Sequence, residues 1–454
     1  MIMVSEAKKK RIIVVGGDAA GMSAASQIKR QRPDWLVTVL EQGRYVSYAA
    51  CGMPYYVEGL IDDFDQLVEI TPQVFREKRG IDLRLGHRAT AIDPAAKTVT
   101  YQQDGGNEGQ LVYDELLIAT GASPLVPEGI ILGERVTTIN NLPQTKHLQQ
   151  LVADNKIRRA AVIGGGFIGL EMAEAFAAQG IETSLVHRRE HLSRMFEEEI
   201  SVLIKEKLQH NGVKLYFGAP LENIVEQGDK VRVISSQEEL EVDLVLLALG
   251  VIPNSELARD AGIELGVRES IVVDDRLQTS SDHIYAAGDC AQGMRIVDNS
   301  PIFSPLALKA NREGMIAGLN MAGIDTLNRG SLDTGITKIF DLGVARTGLS
   351  FAEAEKAGLQ PVKNMITSRS RARYYPDSAP LRVLVIASRI DGRVLGAQLA
   401  GPLDAVKRID TFAVIIHQGL NLDQVMELDL AYAPPFSPVW DPVLLAARIT
   451  KKKL

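Results

Sequence analysis

The sequence holds only two cysteines, Cys51 and Cys290, among 454 residues. Two thiols cannot build a disulfide framework, so a stapled secreted fold is excluded. Positive charge is also short: 57 acidic side chains face 50 Lys and Arg, for a formal net charge of -7. Nucleic-acid binders and polybasic membrane-surface proteins depend on the opposite balance, so neither class is expected. No apolar stretch reaches the roughly 18 residues that would span a bilayer. The opening MIMVSEAKKKR shows no apolar segment of a secretory signal. Low-complexity segments are missing, and the terminal KKK runs read as solvated tails. What is plentiful is apolar side chains, 46% of the total, enough for several cores in about three domains. The expectation is a cytoplasmic multidomain α/β protein that binds neither nucleic acid nor membrane.

The 39 glycines are informative through where they cluster. RIIVVG (residues 11–16) reads as a buried strand, followed by Gly16, Gly17 and Gly21, a small-residue helix, and a strand over 36–40 that ends at Glu41. This is a βαβ unit. The grammar returns at AAVIG (160–164), with Gly164, Gly166 and Gly169 in GGGFIGLEMAEAF, then a strand over 182–186 ending in His187, Arg188 and Arg189. Two such units in one chain imply a duplication and two nucleotide cofactors. LLIATG (116–121), LVLLALG (244–250) and IYAAGD (284–289) read as further strands.

The fold class expected is α/β, with two Rossmann-like dinucleotide-binding domains, one nested in the other, plus a C-terminal α+β domain. The boundaries expected are 9–130 with 265–330, 131–264, and 331–454. The last part carries strands over 381–387 and 394–399, a helix over 404–417, and a Pro-rich stretch, YAPPFSPVWDP.

Glycines in such a turn let the backbone approach a pyrophosphate resting on the helix N-terminus. The second copy is a complete G-x-G-x-x-G, whereas the first has Asp18 at the middle glycine and taken alone also fits a purely structural turn. Glu41, about 20 residues on, favours a cofactor there, since a carboxylate at that place accepts ribose hydroxyls. At the equivalent place in the second copy Arg188 and Arg189 replace the acid and Arg194 follows. Guanidinium groups bind a 2′-phosphate through charge-assisted hydrogen bonds, which favours NADPH over NADH. A solvated arginine cluster is the plainer alternative.

Cys51 sits in VSYAACGMPYY, where Gly52 and Pro54 shape a turn into a helix. A helix N-terminus lowers a thiol pKa and favours thiolate, although a free cysteine is often a small buried hydrophobe. No second cysteine follows at Cys-x2-Cys or Cys-x4-Cys spacing, so a local dithiol is ruled out. Cys290, next to Asp289, reads as structural.

GGDAAG, Glu41, SYAACGMP, IATGASP, GGGFIGLE, LGVIPN and IYAAGDCA occur in that order. Over nearly its full length the chain thereby resembles the pyridine nucleotide–disulfide oxidoreductases with one active-site cysteine. CGMPYY and YAPPFSPVWDP are most similar to coenzyme A-disulfide reductases and NAD(P)H-dependent persulfide reductases. The resemblance implies FAD, NADPH or NADH, and coenzyme A as substrate or as a group held on Cys51. It also implies a homodimer whose C-terminal domain completes the partner's site.

The catalytic residues it implies are Cys51 as redox-active thiolate, with Tyr432 and one of Tyr374 and Tyr375 supplied by the partner subunit. The cofactor set it implies is Gly16, Gly17, Ala20, Gly21, Glu41, Gln42, Ser47, Thr120, Gly121 and Asp289. To these it adds Gly164, Gly166, Phe167 as a gate, Gly169, Glu171, Arg188, Arg189, Arg194 and Gly250. Gln27, Arg30 and Ser47 match positions that contact coenzyme A; an exposed helix face is the alternative for the first two. The expected activity is reduction of coenzyme A disulfide, coenzyme A persulfide or polysulfide.

The departure from the family pattern is Ala50, where coenzyme A-disulfide reductases commonly carry Asn; an appended rhodanese-like domain is not expected. His417 lies in HQGL, so the histidine base of two-cysteine relatives is not expected. An NAD(P)H oxidase or peroxidase cycling through sulfenic acid is the alternative. Those relatives carry His in the first glycine turn, where Ala19 stands here. A flavin-bound redox sensor is the non-enzymatic alternative.

Overall fold

A computed structural model describes residues 9–192 and 196–454. RIIVV forms the central strand Arg11–Val15 of a five-stranded parallel sheet. Its order is Ile284–Ala286, Glu115–Ile118, Arg11–Val15, Leu36–Glu41, Asp82–Leu85. Four successive residues of the central strand are buried, because both faces of the sheet are covered and no alternation is needed. Helices Ala19–Gln31 and Ala307–Met321 cover one face. A three-stranded antiparallel sheet, His87–Asp93, Thr98–Gln103 and Glu108–Val112, covers the other. The two helices touch through backbone: a Cβ on Gly314 would stand 2.1 Å from the Ala20 carbonyl oxygen.

The second sheet repeats the plan, in the order Lys214–Phe217, Glu182–His187, Arg159–Ile163, Leu244–Leu247, Val136–Thr137. All its strands lie between Glu115–Ile118 and Ile284–Ala286 of the first sheet, so one doubly wound unit is inserted into the other. The chain leaves and returns side by side, since Ala122–Pro124 pairs antiparallel with Val251–Pro253. A third, antiparallel sheet runs Gly335–Ile339, Leu342–Gly348, Val394–Gly401, Pro380–Ser388, Pro361–Arg369. Helices Ile409–His417 and Pro442–Lys451 pack on it around a core of their own. Among the described residues no helix is long and apolar enough to cross a membrane.

Three elements end earlier than the sequence suggests. The segment 284–289 is a strand only to Ala286, because Gly288 takes a φ of +83° and turns the chain into Gly288–Cys290. LLIATG and LVLLALG leave their sheets at Ile118 and Leu247, before Gly121 and Gly250, both at positive φ. The expected helix over 404–417 is a short turn, Val406–Arg408, followed by Ile409–His417.

Candidate active site at the junction of three sheets

Both glycine turns are built alike at atomic detail. Gly16 and Gly164 sit at φ +109° and +116°, and their N–H groups donate to Leu40 and Val186 carbonyls at 2.9 and 2.8 Å. A Cβ on Gly21 would lie 1.9 Å from the Gly16 carbonyl oxygen, and one on Gly169 equally close to that of Gly164. In the first turn Glu41 accepts Gly17 N–H at 2.8 Å and Gly43 N–H at 2.6 Å, which fixes the carboxylate beside the turn. Strand register makes His187, not Arg188, the counterpart of Glu41, because Val15 pairs with Leu40 as Ile163 pairs with Val186. His187 Nδ1 faces Gly165 N–H at 3.3 Å. Burial, with Arg189 and Arg188 nearby, holds the imidazole below its usual range. The acid is thus replaced by a ring favoured neutral, with exposed Arg188 and half-buried Arg189 following it. Arg194 lies outside the described residues.

Around the first turn Ala20 is buried, Gln42 is exposed, and Ser47, at φ 47°, donates its N–H to the Gly17 carbonyl at 3.2 Å. Thr120 Oγ1 donates to the Asn254 carbonyl at 2.5 Å, and Asn254 Nδ2 returns a bond to the Thr120 carbonyl. This ties the Gly121 turn to the returning segment after Gly250. Asp289 Oδ1 is buried without a partner. Burial raises both Asp289 and Asp18 to about 6. A glycine turn leading into a helix N-terminus, a carboxylate held beside it, and a buried acceptor lacking donors fit FAD, whose ribityl and ribose hydroxyls supply donors. Gly16, Gly17, Gly21, Glu41 and Asp289 would hold it.

Cys51 lies in a single turn, Ala50–Gly52, that leads into the six-residue helix Met53–Glu58. Pro54 opens that helix and Gly59, at φ +82°, ends it. Met53, Tyr56 and Val57 anchor it in the second unit's core, while Tyr48 N–H donates to Asp18 at 3.3 Å from the other side. The residue itself is exposed. Its thiol is nonetheless pushed up, first by burial of the sulfur's surroundings, then by Glu171, Asp289 and Asp18. This corrects the expectation of a thiol lowered by the helix. Six residues make a weak dipole, and three carboxylates from distant segments oppose the thiolate. Cys290 is fully buried, with Sγ against the Ile118 and Ala287 carbonyls.

Glu171, on helix Phe167–Ala178, accepts Thr337 Oγ1 at 2.7 Å. Phe167, at the start of that helix, fills the space over Gly335, where a Cβ would stand 2.7 Å from the ring. Lys338 bridges Glu58 and Glu174 and lies 5.4 Å from the Tyr55 ring centre. Burial, then Glu171, Glu174, Glu58 and Cys51, raises the Tyr55 phenol to about 12. Thr337, Lys338 and Tyr55 are not singled out by the sequence; the doubled tyrosine beside CGMP hints at Tyr55, and nothing local marks the other two. Replacing Glu171 by Gln removes a charge facing the sulfur. Iodoacetamide should then alkylate Cys51 severalfold faster at pH 7 to 8, with the midpoint of the rate–pH curve moved down.

Ser23, Gln27 and Arg30 form the accessible stripe of an otherwise largely buried helix, Ala19–Gln31. Arg30 donates to Gln27 at 3.1 Å, and Ser23 to Asn311 at 2.8 Å. Arg79, near enough to Arg30 for the two charges to repel, adds a guanidinium to the stripe. Sequence reasoning missed it because residue 79 lies far along the chain. Tyr374 and Tyr432 share a hydrogen bond in the C-terminal domain, 76% and 46% exposed. Tyr375 is half-buried beside them. With Phe436, Val439 and Trp440 they leave an aromatic surface facing outward.

Two nucleotide turns of one plan meeting at a single cysteine define a two-nucleotide thiol oxidoreductase. The family model described as pyridine nucleotide-disulphide oxidoreductase matches residues 10–301, and its dimerisation domain matches residues 335–442. The chain belongs to that family, and with its dimerisation domain it forms a homodimer. It is 38% identical to an NAD(P)H coenzyme A polysulfide/persulfide reductase of Pyrococcus horikoshii, over 99% of this chain and 100% of that one. A coenzyme A disulfide reductase of Staphylococcus haemolyticus is 29% identical over 94% of this chain and 96% of its own. An NADH oxidase of Methanocaldococcus jannaschii is 32% identical over 98% and 99%. The structure of an NAD-dependent persulfide reductase from A. fulgidus superposes with a TM-score of 0.94 at 38% identity, covering 98% of this chain and 83% of that one.

Proposed function

We propose that this homodimer uses NAD(P)H, with NADPH preferred, to reduce coenzyme A persulfide, polysulfide or coenzyme A disulfide at Cys51. The observation that carries the proposal is the meeting, at one thiol, of the Asp18 turn, the Asp289 turn and Glu171 of the second glycine helix. With coenzyme A persulfide or disulfide the Cys51 thiolate attacks the coenzyme A-bearing sulfur, a Cys51–coenzyme A disulfide forms, and hydrosulfide or coenzyme A thiolate leaves and takes a proton. With a polysulfide the thiolate attacks a chain sulfur, the S–S bond breaks, and the shortened polysulfide leaves. FAD, when bound, supplies the two-electron link between the nicotinamide and that disulfide. Glu171 and Phe167 border the nicotinamide, and Ser23, Gln27, Arg30, Ser47 and Arg79 receive the coenzyme A phosphates and ribose. Tyr432 with Tyr374 or Tyr375 of the partner subunit supplies phenols to the leaving sulfur. The domains proposed are 9–130 with 265–330, 131–264, and 331–454, with the paired strands Ala122–Pro124 and Val251–Pro253 as the connection between the first two and Ala258 and Ile263 already packed in the first sheet's core. Two unpaired thiols favour the reducing cytoplasm.

Anaerobic NADPH oxidation by the FAD-loaded protein, offered coenzyme A persulfide and coenzyme A disulfide side by side, tests this. Faster turnover of the persulfide assigns sulfur metabolism, and preference for the disulfide assigns coenzyme A redox buffering. Neither activity, with rapid oxygen consumption in air, would sink the proposal and favour the oxidase. Ala19 in place of a peroxide-orienting His argues against that outcome. Arg188→Ala with Arg189→Ala should raise the KM for NADPH by roughly 10- to 100-fold, the loss of one or two charge-assisted hydrogen bonds. The KM for NADH should change little, and steady-state kinetics with both nucleotides decide it.

A further inference from the structure

Helix Ala307–Met321 buries a lysine and a glutamate one turn apart, Lys309 at 3% and Glu313 at 1% exposure. The chemistry above uses neither. Lys309 Nζ donates to Glu313 Oε2 at 2.8 Å, to the Gly288 carbonyl at 3.0 Å and to the Ala291 carbonyl at 3.3 Å. Glu313 Oε2 accepts Gly288 N–H at 3.0 Å, and its Oε1 accepts Asn328 Nδ2 at 3.3 Å. Both ends of Gly288 are therefore clamped by one ion pair. A buried ion pair is a poor source of stability, since apolar residues of similar volume often do as well or better. What this pair holds is more telling. The next residue is Asp289, whose Oδ1 is buried and unpartnered. The turn is also pressed on the first glycine helix, where a Cβ on Gly288 would lie 2.9 Å from Ala20 Cβ.

We propose that Lys309 and Glu313 are positioning residues for FAD, clamping the Gly288 peptide so that the Asp289 carboxylate is presented, ionised, to the cofactor. The inference rests on the reading of the first glycine turn as the FAD site. The charged and titratable groups facing Asp289 are Lys309 and Glu313 from the helix, Asp18 from the glycine turn, and the Cys51 thiol. Lys309 is the cation among them and favours the carboxylate. Without it, Glu313 and Asp18 oppose ionisation together.

The test compares wild type, Lys309→Met and the doubly apolar Lys309→Met/Glu313→Leu, each stripped of FAD and titrated with FAD between pH 6 and 9. Flavin fluorescence reads affinity, visible circular dichroism reads the flavin's surroundings, and far-UV circular dichroism checks folding. Lys309→Met should bind FAD at least tenfold more weakly at pH 7, with the deficit shrinking toward pH 9 as Asp289 ionises. The double variant, which leaves no unpaired charge from this clamp, should fold yet bind FAD weakly with an altered visible spectrum. Wild-type affinity and spectrum in the double variant would overturn the proposal, as would a Lys309→Met deficit equal at every pH. Failure of the wild type itself to bind FAD would instead remove the reading on which the inference rests, and the inference with it.

Discussion

Cys51→Ser should abolish reduction of coenzyme A persulfide and disulfide, lowering kcat by at least about 10³-fold, as loss of a nucleophile does elsewhere. A serine hydroxyl is neither ionised at neutral pH nor able to form the mixed disulfide. FAD content and NADPH-dependent bleaching of the flavin should survive, because Cys51 is exposed and belongs to no core cluster among the described residues. Stopped-flow absorbance separates the two half-reactions. Bleaching intact with turnover gone places the lesion at the sulfur step, and persistent turnover would move the chemistry to another residue. Cys290→Ala is the contrasting variant. It removes a fully buried sulfur, so it should lower the Tm while leaving the sulfur chemistry in place.

Gly16→Ala should remove FAD altogether. The new Cβ would stand 2.1 Å from the Ala119 carbonyl oxygen, a backbone atom that cannot swing aside, at a φ of +109°. Backbone strain of roughly 1–3 kcal/mol adds to overpacking of similar size, a large share of the roughly 5–15 kcal/mol that holds a domain folded. Gly212→Ala, far from the first glycine turn in sequence, is the matched control: φ is +82° and nothing lies within 4 Å of the added atom. That change should cost about 1–2 kcal/mol and keep the flavin. Absorbance at the flavin band after gel filtration, together with thermal melts, checks both. Equal flavin content in the two variants would mean that the turn is not the cofactor's cradle.

Local pattern made the two glycine units legible: β-branched strands, small-residue helices and glycines at turn positions each point to the same structure. Glu41 was legible for the same reason, since its place follows from strand length. The surroundings of Cys51 were not. Asp18, Glu171 and Asp289 converge on it from three separate segments, and only the packed fold brings their charges together. The clamp of Lys309 and Glu313 reads in sequence as an ordinary i,i+4 surface pair, because nothing local shows that this helix face is covered. The peripheral sheets at 87–112 and 221–242 escaped notice because their strands are partly exposed, with many polar residues and no apolar run. His187 took the place expected for Arg188 because register is a property of paired strands, not of one segment.

The insertion of one doubly wound unit inside another also sets an order of events during synthesis. Arg11–Val15 cannot find its neighbours on both sides until Glu115–Ile118 emerges, and the sheet it centres stays incomplete until Ile284–Ala286 is made. At a translation rate of about 5–20 residues per second, some 270 residues between the first strand and the last take roughly 15 to 50 seconds. The inserted unit has all its strands by Leu247 and closes first. Throughout that interval the nascent amino-terminal half exposes an apolar sheet edge and the bare side of its first helix. A newborn chain of this protein is therefore a natural client for chaperones that shield strand edges, and truncation before Met321 should yield an aggregating fragment.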